Sequence, residues 1–160
     1  MVVLGIDPGL VQTGFGLISI SNQKIDCIDY GVIKPDKASD LSNRLLTIHE
    51  DVKSIISNYS PKIVVIEDVF YGKNIKSALK LGQARGSAMV AAASVNLPIY
   101  EYSARKIKQA ITGNGNSTKE QIQFMVKNIL NLKVIPVPID ASDALAIAIC
   151  HSQQFREYDL

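Results

Sequence analysis

Carboxylates stand at the tips of apolar segments in this chain. Asp7 follows the run Val2-Val3-Leu4-Gly5-Ile6, Glu67 follows Ile63-Val64-Val65-Ile66, and Asp140 and Asp143 open an apolar, helix-like stretch that runs to Ile149. A carboxylate at the end of a buried element is unfavourable unless something neutralises it. A hard divalent cation does so, and two magnesium ions held by carboxylates are a recurrent device for phosphodiester cleavage. Each acid also has a plainer reading. Asp7 before Pro8-Gly9 can simply start a turn, and Asp140 can be a helix N-cap with Asp143 as its partner in the first turn. Glu67 shifts the balance. It closes four consecutive β-branched residues, so it lies at the C-terminal end of a buried strand, where sites in α/β sheets gather. Successive strand residues face opposite ways, so Glu67 is expected to face the site and Asp68 to point away.

Lys119 is the most informative basic residue. Ser117 and Glu120 fit a capping box, which places Lys119 in the first turn of a helix. A cation there opposes the helix macrodipole, and a locally unfavourable choice often marks function. The preceding loop, residues 112–118, offers backbone donors and a helix N-terminus to a phosphate. Phe70 and Tyr71, beside Gly72 and just after Glu67, could stack on an unpaired base or wedge a base step, or fold back into the core. His151 lies eight residues beyond Asp143, about 12 Å along a helix, too far to share one ion. It reads as structural or surface, and His49 as solvated.

The elements that must position these residues follow from hydrophobic period. Segments 2–7, 14–20 and 25–33 read as strands, with Asn22-Gln23 as a hairpin turn, giving an antiparallel meander of three. A helix follows at 41–59, ended by Pro61, then a strand at 62–67, a long helix at 74–95 and a strand around 98–102. A short helix, a helix from about 118 to 131 and a last helix from about 141 complete the chain. Antiparallel strands first, then strands alternating with helices, predict an α/β fold. It has a five-stranded mixed sheet, three strands antiparallel and two parallel, with helices on both faces.

One domain over residues 1–160 is the simplest organisation, and a chain of that length buries an ordinary core. Hydrophobic residues make up 47% of it. No apolar run approaches the ~20 residues of a membrane span, and no signal peptide is seen. Cys27 and Cys150 lack metal or framework spacing and read as reduced core thiols of a cytoplasmic protein, with a disulfide between them as the lesser alternative. The net charge is only +2, but residues 72–120 carry eight Lys/Arg against two acids, +6, which leaves −4 for the rest. Such segregation suits a polyanion or is simply a solvated basic surface; on the first reading Lys73, Lys76, Lys80, Arg85, Arg105, Lys108 and Lys119 are candidate DNA contacts.

Several blocks together resemble one family. They are Gly5-Ile-Asp7-Pro-Gly9, Thr13-Gly-Phe-Gly16, Ile66-Glu67 with Phe70, Ser77 to Gly86, Glu101-Tyr-Ser-Ala-Arg105 with Lys108, and the run from Asp140 through Asp143 into the last helix. They resemble the RuvC family of bacterial Holliday junction resolvases from end to end, and the block at 77–86 is the most specific. The resemblance implies an RNase H-like fold. It implies a homodimer that makes paired nicks in two strands of like polarity of a four-way junction, leaving 5′-phosphate and 3′-hydroxyl ends. It implies a magnesium site formed by Asp7, Glu67, Asp140 and Asp143, with two ions expected and Mn2+ able to substitute. It further implies that Phe70 meets a base near the exchange point and that Lys108 and Lys119 serve phosphate. The helix at 74–95 would contribute to the dimer interface, and a branch-migration complex of the RuvA and RuvB type is a possible partner. Asp68 departs from the family pattern, which leads one to expect a neutral side chain there.

Three other readings are open to the sequence. The Asp-Pro-Gly turn with a following Thr-Gly is similar to the phosphate loop of sugar kinases and actin-like ATPases, although these need two lobes around a nucleotide. The acids could be caps and turns in a non-catalytic junction-binding module. The chain could also be another RNase H-like nuclease, acting on RNA–DNA hybrids.

Overall fold

A computed structural model describes residues 1–69, 72 and 74–158. Strands β1 (Val2–Asp7), β2 (Thr13–Ser21), β3 (Lys24–Ile33), β4 (Ile63–Glu67) and β5 (Ile99–Tyr102) form one sheet in the order β3-β2-β1-β4-β5. β1, β2 and β3 are antiparallel neighbours, whereas β1–β4 and β4–β5 are parallel. This is the expected meander plus two parallel strands. Asn22 and Gln23 both take positive φ, as a two-residue hairpin turn requires.

Helices cover both faces. Alternation along β1 and β4 sends Leu4, Ile6, Val64 and Ile66 to one side, against α1 (Leu41–Tyr59) and α2 (Ile75–Ala93). Val3, Ile63 and Val65 go to the other, against α3 (Ala104–Thr112), α4 (Lys119–Ile129) and α5 (Ile139–Tyr158). Helix α5 is the central one. It lies on β1, β2 and β3 and is itself covered by α3 and α4, which is why residues 144–152 are almost all apolar and buried. Ala84, Ala88, Ala91 and Ala92 let α2 sit close to the core, while Ile75, Leu79 and Gly82 face outwards. Among the described residues no helix is long and apolar enough to cross a membrane.

Two helix starts differ from the sequence reading. The capping box of α4 is formed by Thr118 and Gln121, not Ser117 and Glu120; the Thr118 hydroxyl accepts from the Gln121 N–H, and Gln121 Oε1 accepts from the Thr118 N–H. Both pairs fit the pattern, and the structure buries Ser117 instead. Helix α5 starts at Ile139, so Asp140 lies in its first turn rather than at the N-cap. The N–H groups of Ala141 and Ser142 donate to the Pro138 carbonyl. Phe70, Tyr71 and Lys73 lie outside the described residues.

Candidate active site

The pairing of β1 with β4 brings two acids together. Ile6 is in register with Ile66, so Asp7 and Glu67 end adjacent parallel strands. Both follow the alternation that sends Val3 and Val65 towards α5. Helix α5 reaches them because Gly5 and Gly14 put no side chain beneath its head. A Cβ on Gly5 would strike the Ala144 carbonyl, and one on Gly14 the Asp140 carbonyl. Gly14 is also the register partner of Asp7. Gly14 thus seats the head of α5, while the Thr13 hydroxyl donates to the Gly9 carbonyl and accepts from the Gly9 N–H.

Carboxylate oxygens of Asp7, Asp140 and Asp143 lie within 4.8 Å of one another. Glu67 is outside that tight group but lines the same cavity of about 290 Å³, together with Lys108 and Lys119. Burial raises the pKa of Asp7 to about 8, with Asp143, Glu67 and Asp140 adding to the shift. Burial likewise pushes Glu67 up, helped by Asp143 and opposed by Lys119 and Lys108. Asp143 is raised by burial and by Asp140, against the pull of Lys119, whose Nζ stands 3.8 Å from its Oδ2. The donor set is all oxygen, crowded and under-neutralised, and it fits a hard divalent cation.

Residues 3–151 match the family described as Crossover junction endodeoxyribonuclease RuvC. The chain belongs to the RuvC family. A RuvC of Citrifermentans bemidjiense is 49% identical over 152 residues, covering 95% of this chain and 92% of that protein. One of Natranaerobius thermophilus is 44% identical over 156 residues, covering 98% and 97%. The solved structure of Thermus thermophilus RuvC in complex with Holliday junction substrate superposes with a TM-score of 0.92 at 34% identity, covering 99% of this chain and 96% of that one. The RNase H-like resolvase fold expected from the sequence is therefore the fold observed, and the family's activity is that of a nuclease.

The remaining candidates in this RuvC-family chain are dispersed. Lys76 and Lys80 are exposed on α2. Arg105 lines a separate groove with Ser103, Lys106 and Gln109, which none of the four acids borders. Arg85 differs from its sequence reading. Its guanidinium pairs with Glu101 and, at 3.7 Å, with Asp68, and its Nε donates to the Glu67 carbonyl at 3.2 Å. Asp68 follows the end of β4 and does not line the cavity that holds Asp140 and Asp143, although it borders a smaller one with Asp7 and Glu67, and its Oδ1 also accepts from the Val69 N–H. His151 is buried beside Tyr102, 2.8 Å from its hydroxyl, as a structural residue would be. Cys27 and Cys150 are free thiols.

Sequence reasoning missed Gln12, whose Nε2 donates to Asp140 Oδ2 across 128 residues of chain. The loop carrying it is held by Arg44, which donates to the Leu10 carbonyl at 2.7 Å. A lone glutamine in a turn gives no signal of such a contact.

Proposed function

We propose that this chain is a structure-selective endonuclease that resolves Holliday junctions in the cytoplasm during DNA recombination and repair. The carrying observation is the convergence of Asp7, Asp140 and Asp143, with Glu67 in the same cavity and two lysines at its edge. Asp7, Glu67, Asp140 and Asp143 would hold Mg2+, two ions per site, with Mn2+ able to substitute. Bound there, the metal supplies the positive charge that activates water and stabilises the leaving 3′ oxygen.

The chain's own groups do the rest. Burial first, and repulsion between the acids second, raise the pKa of Asp7, Glu67 and Asp143, and Lys119 and Lys108 offset this only in part at Glu67 and Asp143, so a cation is favoured there. Lys119 is 65% exposed at the cavity mouth, within reach of a phosphate, and can stabilise charge developing on it. Lys108 lines the same wall and positions the backbone. The products carry 5′-phosphate and 3′-hydroxyl ends. Phe70, Tyr71 and Lys73 follow Glu67 directly in the chain and would meet DNA near the exchange point, with Lys76, Lys80 and Arg105 extending the basic surface.

Paired nicking needs two sites, and a twofold dimer matches the symmetry of a junction. Ile75 is 74% and Leu79 64% exposed on α2, and a Cβ at Gly82 or Gly86 would meet nothing. That open, partly apolar face supports dimerisation through α2. A RuvA and RuvB type complex would deliver the junction. One gel tests the reading: a labelled four-way junction and a linear duplex, each with and without Mg2+. Symmetric nicks in the junction alone, and only with metal, are expected. An intact junction in both Mg2+ and Mn2+ would refute it.

A further inference from the structure

Glu67 is the last residue of β4, and its side chain enters the acidic cavity on the α5 side of the sheet. Helix α2 lies on the other side, with Ala84 and Ala88 in the core beneath Val64 and Ile66. Arg85 sits between those two alanines in sequence and reaches the strand end from behind. Its Nε donates to the Glu67 carbonyl, while Nη2 is held by Glu101 on β5 and by Asp68. The neighbouring strand adds one more tie, from the Asp68 N–H to the Tyr102 carbonyl at 2.9 Å.

A strand end without such ties frays, and a carboxylate on it swings with the backbone. We propose that Arg85 is a positioning residue of the metal centre, bracing the backbone of Glu67 from the opposite face so that its carboxylate stands where a cation needs it. The inference rests on the reading of Glu67 as a metal ligand. The guanidinium is only 15% exposed and is flanked by two carboxylates, so it is not presented to a DNA phosphate as its charge alone would imply. Asp68, 60% exposed, loads the same guanidinium rather than the metal site. A planar fork can donate to a carbonyl and a carboxylate at once, which an ammonium on a flexible stem does poorly.

The test follows thermal unfolding of the full chain while MnCl2 is added, without DNA. Arg85→Leu should raise the Mn2+ concentration for half-maximal stabilisation about tenfold, in the range seen for groups that orient metal ligands. Arg85→Lys should fall between that variant and the parent. In junction cleavage, Arg85→Leu should lower kcat at limiting Mn2+, recover with excess Mn2+, and leave KM for the junction unchanged. A variant that melts earlier without metal but keeps the parent's Mn2+ midpoint would overturn the proposal, as would a raised KM with unchanged kcat. Should Arg85→Leu not fold, a parent-like midpoint for Arg85→Lys overturns it equally. Glu67→Gln separates the two claims: an unchanged Mn2+ midpoint there removes Glu67 from the metal site itself, and the proposal with it.

Discussion

Replacing Asp7 by asparagine should make the metal-free protein more stable while removing its activity. Asp7 has a pKa near 8 in the folded chain against 3.8 for the free side chain, chiefly because it is buried and secondarily because three other carboxylates face it. The folded state therefore keeps a proton that the unfolded chain gives up. A raised folded pKa contributes stability that is fully present below the unfolded value and is lost as pH rises towards the folded one. At about 1.4 kcal/mol per pH unit, the loss by pH 7 amounts to roughly 4 kcal/mol. Partial solvation of the cavity reduces this, and a gain of about 2–4 kcal/mol is expected for Asp7→Asn at pH 7. In a chain of this size that is a rise in melting temperature on the order of 5–15 °C. The asparagine amide can still donate to Asp140, as the protonated acid does. Thermal unfolding in EDTA at pH 4.5, 7 and 8 reads the effect, which should shrink towards the acid end. Added Mg2+ should then stabilise the parent far more than the variant, and cleavage should be lost while junction binding persists. A variant that melts at or below the parent at both pH 7 and 8 would show that the acids do not burden the empty site.

Lys119→Ala should slow cleavage by about two orders of magnitude, the lower end of the scale for one electrostatic group at a transition state, and change junction affinity much less; equal losses in a rate assay and a binding titration would make it a plain DNA contact. Gly14→Val should displace the head of α5, because its side chain would overlap the Asp140 carbonyl, and so lower the melting temperature and activity together; a parent-like melt with full cutting contradicts the seating argument. Phe70→Ala should leave linear duplex affinity alone and impair junction processing, and parallel loss of both would place the ring in the core. Titration calorimetry with cleavage-dead Asp7→Asn is uninformative for ion count, so Mn2+ dependence of parent cutting is the measure; a slope near two is expected, and a slope of one argues against paired ions.

What the sequence made legible was what local pattern controls. Four apolar β-branched residues ending in Glu67 define a strand tip, and Glu67 rather than Asp68 lines the main cavity. Asp140 and Asp143, three apart on a helix, had to share a face, wherever the helix began. The boundary errors have the same local origin. Ser117-Thr118-Lys119-Glu120-Gln121 contains two overlapping capping boxes, and choosing between them depends on whether Ser117 is buried. Asp140 is a good N-cap by type, but the Pro138 carbonyl already accepts from Ala141 and Ser142. The partners of Arg85 were not legible for a different reason. Counting charge assigns a cation to whatever polyanion is imagined, yet its partners Asp68 and Glu101 come from two other strand ends that only the sheet order brings beside α2. Gln12 is the extreme case, a neutral loop residue whose role exists only through a contact 128 positions away.

The charge balance of the site gives the partition at Glu67 and Asp68 its meaning. Four carboxylates face Lys108 and Lys119 across one cavity, which leaves two negative charges. A scissile phosphodiester adds another, and its pentacoordinate transition state one more. On the proposed reading, with all four acids ionised around the metal, one divalent ion would leave that assembly at −2 and two would bring it to neutrality, which is the charge argument for two ions. A fifth acid facing inwards would upset that match by a full charge at close range. Asp68 is the fifth acid by sequence, but it lies just past the end of β4, does not line that cavity, and stands 3.7 Å from Arg85. The same guanidinium donates to the Glu67 carbonyl, so on the proposed reading an acid that would have burdened the site instead pairs with the cation that braces one of its ligands.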